Sequence, residues 1–165
     1  MFVRPDDELE MEIRLTQTGF DLLRAELAGL VEVARPDSLL RVQSAYESGG
    51  NDGCTELSDA RWEQDRIEMR IRRLEAQLRG ARLVTDMELR SDRIEIGHRV
   101  SARRAGGVER SYVLVSPLES DPRAGRLSIE SPLGRALLGG AVGQVVVLEH
   151  NGEEVTITDM APADG

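Results

Sequence analysis

Side chains able to do chemistry are few in this chain, and they gather in one stretch. Residues 47–57 read ESGGNDGCTEL, with three carboxylates (Glu47, Asp52, Glu56), three glycines and the only cysteine. Neighbouring negative charge disfavours a thiolate, so Cys54 should stay a thiol with no marked redox role. A solitary cysteine also provides neither an intramolecular disulfide nor a zinc cluster. His98 and His150 stand far apart and read as structural or surface residues. By themselves, Asp52 and Glu56 read as a solvated turn in which Glu56 adds favourable charge at a helix start. Glu47 and Asp59 flank them and read as surface helix charge. Aromatics make up 3% of the chain, too few to line a substrate cleft or a proline-binding pocket. No catalytic residue is assigned, and the chain is expected not to be an enzyme.

The elements on either side must position this acidic stretch. Phe20, Leu23, Leu27, Leu30 and Ala34 recur at alternating spacings of three and four, a coiled-coil seam. Thr18-Gly19-Phe20-Asp21 resembles a capping box for it. Pro36 predicts a kink or restart, after which Leu39, Leu40, Val42, Ala45 and Tyr46 continue a helical pattern up to Gly49-Gly50. A second helix is expected from Thr55 or Ser58 to Gly80, with Ile67, Ile71, Leu74, Leu78 and Ala81 on its seam. Two such helices joined by a short loop make an antiparallel hairpin roughly 45 Å long at ~1.5 Å per residue. Trp62 would pack near Tyr46 by the tip.

After a connector the period changes to two. IEIGHRVSARR, VERSYVLVS, GRLSIE, GQVVVLEH and EEVTITDM read as strands, the last two joined by an Asn151-Gly152 turn. SPLGRALLG reads as a short helix with Ser131 as N-cap, Pro132 in its first turn and Gly139 at its end. The fold class is α+β: a coiled-coil hairpin over 1–82 with its tip at 47–59, a linker over 83–93, and a small antiparallel sheet domain with one helix over 94–165.

A net charge of −9 argues against direct DNA binding and favours a protein partner with a basic surface, while the use of arginine to the exclusion of lysine reads as composition bias. No run of apolar residues is long enough for a signal peptide core or a membrane span, so a cytoplasmic monomer with no membrane contact is expected.

Five segments together resemble the bacterial Gre transcript-cleavage factors and their non-cleaving homologues: LTQTGFDLLRAEL, ARPD, EMRIRRLEAQL, IEIGHRV and LSIESPLGRALLG. The resemblance implies a sheet domain similar to FK506-binding proteins that docks on RNA polymerase at the rim of its secondary channel. The coiled coil would enter that channel and carry its tip to the active centre. Ser131, Pro132, Leu133 and Arg135 match the docking segment. Arg66, Arg70 and Arg73 lie where some members contact the RNA 3′ end; the alternative is pairing with acids on the hairpin.

In cleaving members an Asp and a Glu three residues apart at the tip help hold a Mg²⁺ of the polymerase, and the chain has no cofactor of its own. In this register the two positions fall on Gly50 and Gly53. Glu56 matches a following acidic position and Asp52 is displaced, leaving an Asp52/Glu56 pair as the metal ligands available. The resemblance therefore implies a secondary-channel factor that inhibits or modulates elongation without efficient cleavage. The alternative is a cleavage stimulator working through Asp52 and Glu56.

Overall fold

The computed structural model describes residues 13–48 and 53–163, with Gly53 and Cys54 described by backbone alone. Asp21–Gly80 forms one compact unit, and the residues before and after it form another.

The helical unit is built from α1 (Gln17–Gly29, whose first turn belongs to the other unit), a π-helical turn (Leu30–Ala34), α2 (Arg35–Glu47) and α3 (Gly53–Arg79). The helices outrun the sequence expectation at the tip, where α3 begins at Gly53 rather than at Thr55 or Ser58. Pro36 sits in the first turn of α2 without ending the helix, which runs on from the π turn: Ala34 and Arg35 keep helical dihedrals and the Arg35 N–H donates to the Leu30 carbonyl. The irregularity lies one turn earlier. Leu23, Leu27, Leu30 and Ala34 face inward at alternating spacings of four and three, which would continue at 37, 41 and 44. The residues turned inward are instead Ser38, Val42 and Ala45, each one later. The π turn takes up the extra residue. Leu39, Leu40 and Tyr46, part of the expected helical pattern, lie off the seam in either register and are 50%, 61% and 73% exposed. From α3, Ile71 and Leu74 are buried against the seam.

Arg35 forms a two-pronged pair with Glu68 (2.7 and 2.8 Å), and Arg70 does the same with Glu26. The Arg35 hydrogen bonds hold the Glu68 carboxyl below its ordinary range. The first pair is half-buried and the second exposed, and with both still reached by water their main effect is on helix register rather than stability.

In the second unit β1 (Ile13–Leu15) pairs in parallel with β2 (Ala81–Leu83). The main sheet has the order β5-β4-β3-β7-β6, from β3 (His98–Arg104), β4 (Glu109–Val115), β5 (Arg126–Ser128), β6 (Val145–Val147) and β7 (Glu154–Pro162). All its pairings are antiparallel except β4 with β5. The one-turn α4 (Asp86–Leu89) lies in the connector, and α5 (Pro132–Leu137) covers the sheet. Ile94, Val100, Leu114, Leu137, Leu148 and Ile157 form the core between them. Gly152 turns β6 into β7 at φ 68°, where a side chain would be strained.

Residue 94 opens no strand. Residues 94–97 form a turn held by His98, which is 1% exposed. His98 Nδ1 accepts the Glu95 N–H at 2.9 Å, so Nε2 donates to the Leu89 carbonyl at 3.0 Å. Both nitrogens serve structure, and the ring is neutral in this arrangement.

The start of α1 also departs from expectation. The N-cap is Thr16, whose Oγ1 accepts the Gly19 N–H at 3.0 Å. A capping box would place an acid at Gly19 to reach back to the Thr16 N–H. Glu119, 103 residues away, does this instead: its Oε1 accepts the Thr16 N–H at 3.0 Å and its Oε2 the Thr16 hydroxyl. A Cβ on Gly19 would lie 1.8 Å from Glu119 Oε2, so any side chain there would push Glu119 off the cap.

The connector is tied down by a second acid. Glu88 caps α4 through Thr85, receives two 3.0 Å hydrogen bonds from Arg82, and lies 3.5 Å from Arg14 of β1. Arg82, followed by the Thr85 backbone N–H, holds the Glu88 carboxyl far below the ordinary glutamate range. A carboxyl depressed by folding stabilises the protein above its unfolded pKa, and that contribution is lost as pH falls towards the folded value. Glu88→Gln should therefore cost about 1–3 kcal/mol at pH 7. The gap from wild type in urea unfolding should shrink steadily below about pH 4. A gap that is constant down to pH 3 would show that the charge of Glu88 contributes nothing.

Candidate functional site

The tip is where two helix ends meet. Glu47 is the last residue of α2, exposed, and accepts a 2.9 Å hydrogen bond from Gln43. Gly50 and Asp52 lie outside the described residues, as does the side chain of Cys54. Gly53 is the first residue of α3, and Glu56 follows in its first turn with Asp59 one turn further, both exposed. Carboxylates there complement the positive helix end. Leu40, Ala45 and Ala60 form the apolar part of a shallow groove rimmed by Glu56, Asp59, Glu63 and Arg41. Arg41 pairs with Glu63 at 2.8 Å, which leaves Glu56 and Asp59 as the open carboxylates. Among the described residues no three ligating side chains converge in a metal-holding group. A hard cation wants about six oxygens, so Glu56 can supply only part of such a shell.

The arginine stripe separates into two kinds. Arg70 forms a two-pronged pair with Glu26 at 2.7 and 2.8 Å, the kind of hairpin pairing set out as the alternative for this stripe. Arg66 and Arg73 are exposed, and among the described residues neither has an ion-pair partner. Trp62 is 71% exposed and Tyr46 73%, so the expected burial of one against the other near the tip does not occur.

The docking segment is shaped by its own backbone. Ser131 Oγ accepts the Gly134 N–H at 3.0 Å and donates to the Ser128 carbonyl at 2.7 Å. Gly134 allows that approach, since a Cβ there would lie 2.0 Å from the Ser128 oxygen. Leu133 is 7% exposed and belongs to the core, so it supports the segment from beneath rather than presenting itself. Pro132 and Arg135 face outward, with the Arg135 Nε donating to the Glu130 carbonyl at 2.9 Å. Beside them lie Val147, Glu149 and His150.

Residues 13–83 match the family model described as transcription elongation factor, N-terminal, and residues 89–161 match that described as transcription elongation factor, GreA/GreB, C-term. The chain belongs to the GreA/GreB transcription elongation factor family. A relative in Macrococcus caseolyticus, named transcription elongation factor GreA, is 37% identical over 152 residues, covering 91% of this chain and 96% of its own. Another of that name in Syntrophomonas wolfei is 37% identical over 141 residues, covering 85% and 89%. The solved Gfh1 of Thermus aquaticus is 30% identical, covers 91% of this chain and 98% of its own, and superposes with a TM-score of 0.42.

These relatives correct one expectation. The chain was expected to be no enzyme, but its relatives carry the GreA name, which the resemblance above attaches to factors that stimulate transcript cleavage. A part in RNA cleavage belongs to this family. Among the described residues no helix is long and apolar enough to cross a membrane.

Proposed function

We propose that this chain acts on bacterial RNA polymerase in the cytoplasm during elongation. Its sheet unit docks at the secondary-channel rim through Pro132 and Arg135, and its hairpin carries the 47–59 tip towards the active centre. The observation behind this reading is a hairpin of two helices ending in open carboxylates, Glu56 and Asp59, within a chain matched along both halves to elongation factors.

The tip should stimulate cleavage only weakly. Gly50 and Gly53 stand where the resemblance places the two carboxylates, and neither offers a side-chain ligand. Asp52 and Glu56 are the residues of this chain that would hold a Mg²⁺ shared with polymerase, and that ion, when bound, would activate the attacking water. Glycine on the C-terminal side of Asp52 favours no single backbone conformation, and each residue that must be fixed to bring Asp52 into line costs about 1–2 kcal/mol. The main effect of the hairpin is then to slow elongation by occupying the channel. The GreA names of the relatives favour a second reading, in which Asp52 and Glu56 complete an effective cleavage site.

Docking is tested by co-elution with core polymerase. Wild type should bind, and Arg135→Glu should weaken binding about tenfold or more, as expected for reversing a charge at an interface. Absence of binding by wild type, or an unaffected variant, would contradict the docking assignment.

A further inference from the structure

Along β3 and β4 successive side chains alternate between the two faces of the sheet. Val100 and Leu114 belong to the core under α5, so Arg99, Val113 and Val115 stand on the other face. A cavity of about 380 Å³ lies there, between the sheet and the connector that follows β2. Its apolar lining comes from Val113 and Val115 of the sheet and from Val84 and Leu89 of the connector. Leu89 can lie over the sheet because residue 97 is a glycine, where a Cβ would be 2.9 Å from Leu89 Cδ2. The connector wall is fixed by Glu88 through Arg14, Arg82 and Thr85, and by His98 through the Leu89 carbonyl, so the cavity is formed before any ligand arrives. Of the charged residues that line it, Arg126 is committed to Glu119. Arg99 and Asp86 are exposed, and among the described residues neither has an ion-pair partner, so they line one cavity without neutralising each other.

We infer that this cavity binds a small zwitterion with an aliphatic tail, of the class of the free aliphatic α-amino acids. Arg99 takes the carboxylate, Asp86 takes the ammonium, and the tail lies on Val113 and Val115. A planar guanidinium pairs with a carboxylate through two parallel hydrogen bonds, and an ammonium brings the donors that a carboxylate needs. One exposed ion pair contributes little, which disfavours a ligand with a single charge. A simple anion would gain from Arg99 but set a second negative charge beside Asp86, and a simple cation would meet the reverse. The four aliphatic side chains offer nothing to the hydroxyls of a sugar or the edge of a base, so the remainder of the ligand is apolar. The volume stands near the lower end of the roughly 300–1,000 Å³ usual for ligand sites, so the tail is short. A ligand that bridges Arg99 of β3 and Asp86 of α4 ties the connector to the sheet. The site lies on the face opposite α5, with its Pro132 and Arg135, and does not depend on polymerase docking.

L-Leucine is the probe, titrated into the full chain while the backbone amide signals are followed by NMR. Saturable shifts are expected at Val84, Leu89 and Val113, with a Kd of about 1 mM or below. Two analogues each lack one charge: isocaproate has no ammonium and isoamylamine no carboxylate. Each should bind about tenfold or more weakly than leucine, as expected for losing a charge-assisted hydrogen bond. Glycine, which has no tail, should also bind more weakly. Arg99→Gln should lower the affinity for leucine about tenfold and leave that for isoamylamine unchanged. Asp86→Asn should lower it by a similar factor and leave that for isocaproate unchanged. Both side chains are exposed, so both variants should unfold within about 2–3 °C of wild type. An absence of saturable shifts around the cavity up to about 20 mM leucine would overturn the proposal. So would leucine binding that is unchanged in both variants, or isocaproate or isoamylamine binding as tightly as leucine. The titration contains no polymerase, so its failure and a failure of polymerase docking are read separately.

Discussion

Replacing Gly50 by Asp and Gly53 by Glu is expected to raise factor-dependent cleavage of backtracked RNA by roughly 10- to 100-fold or more, since even the groups that only support metal ligands are worth that much. The substitutions restore two side-chain carboxylates three residues apart at the positions the family resemblance marks. They also reduce the conformational freedom of the tip, since two glycines are removed. Gly53 is the first residue of α3, where an acid is favoured by the helix dipole, so the second substitution should not cost helix stability. The comparison is made in purified backtracked complexes at fixed Mg²⁺, wild type against the double variant, with Asp52→Ala/Glu56→Ala alongside. A double variant no better than wild type would mean that the glycines are not what limits cleavage. A large loss on removing Asp52 and Glu56 would favour the remodelled site instead.

Glu119→Ala should be among the most destabilising single substitutions in the chain, by about 3–5 kcal/mol, because it leaves a partly buried guanidinium without its partner. The Glu119 side chain is fully buried, and Arg126, 15% exposed, donates to it at 3.1 Å. The same carboxylate receives the Thr16 N–H and hydroxyl and lies 3.3 Å from the Ser116 hydroxyl. Removing it also uncaps α1 at the point where that helix leaves the sheet unit. A fall in Tm of roughly 10 °C is expected in thermal unfolding. Glu119→Gln, which keeps the shape and can still accept hydrogen bonds, should lose less. A Tm within 2–3 °C of wild type for the alanine variant would show that the ion pair and cap contribute little.

Glu119 also marks the boundary of what the sequence discloses. The seams of α1 and α3 are written in local periodicity, and so are the Asn151-Gly152 turn and the Ser131 cap. Each depends on residues within one or two turns, and each was legible for that reason. The cap on α1 was not, because its acid comes from 103 residues away while the local position is a glycine. The π turn was hidden by Pro36, which drew attention to itself as the obvious irregularity. The shift of the buried set to Ser38, Val42 and Ala45 follows from one extra residue, and the apolar pattern at Leu39, Leu40 and Tyr46 pointed the other way. At the candidate site, residue types identified the acids and arginines. Only side-chain pairing separated Arg70, held by Glu26, from Arg66 and Arg73.

The proposed function has the hairpin occupy the polymerase secondary channel with a tip poorly equipped for cleavage. It is tested most directly by following transcript length in purified backtracked elongation complexes as the wild-type protein is added over a range of Mg²⁺ concentrations. Slowed elongation with little shortening of the RNA is the expected result. Rapid, factor-dependent shortening at ordinary Mg²⁺ would contradict the weak-tip account and establish Asp52 and Glu56 as an effective pair; no effect on either reaction would contradict action on polymerase itself.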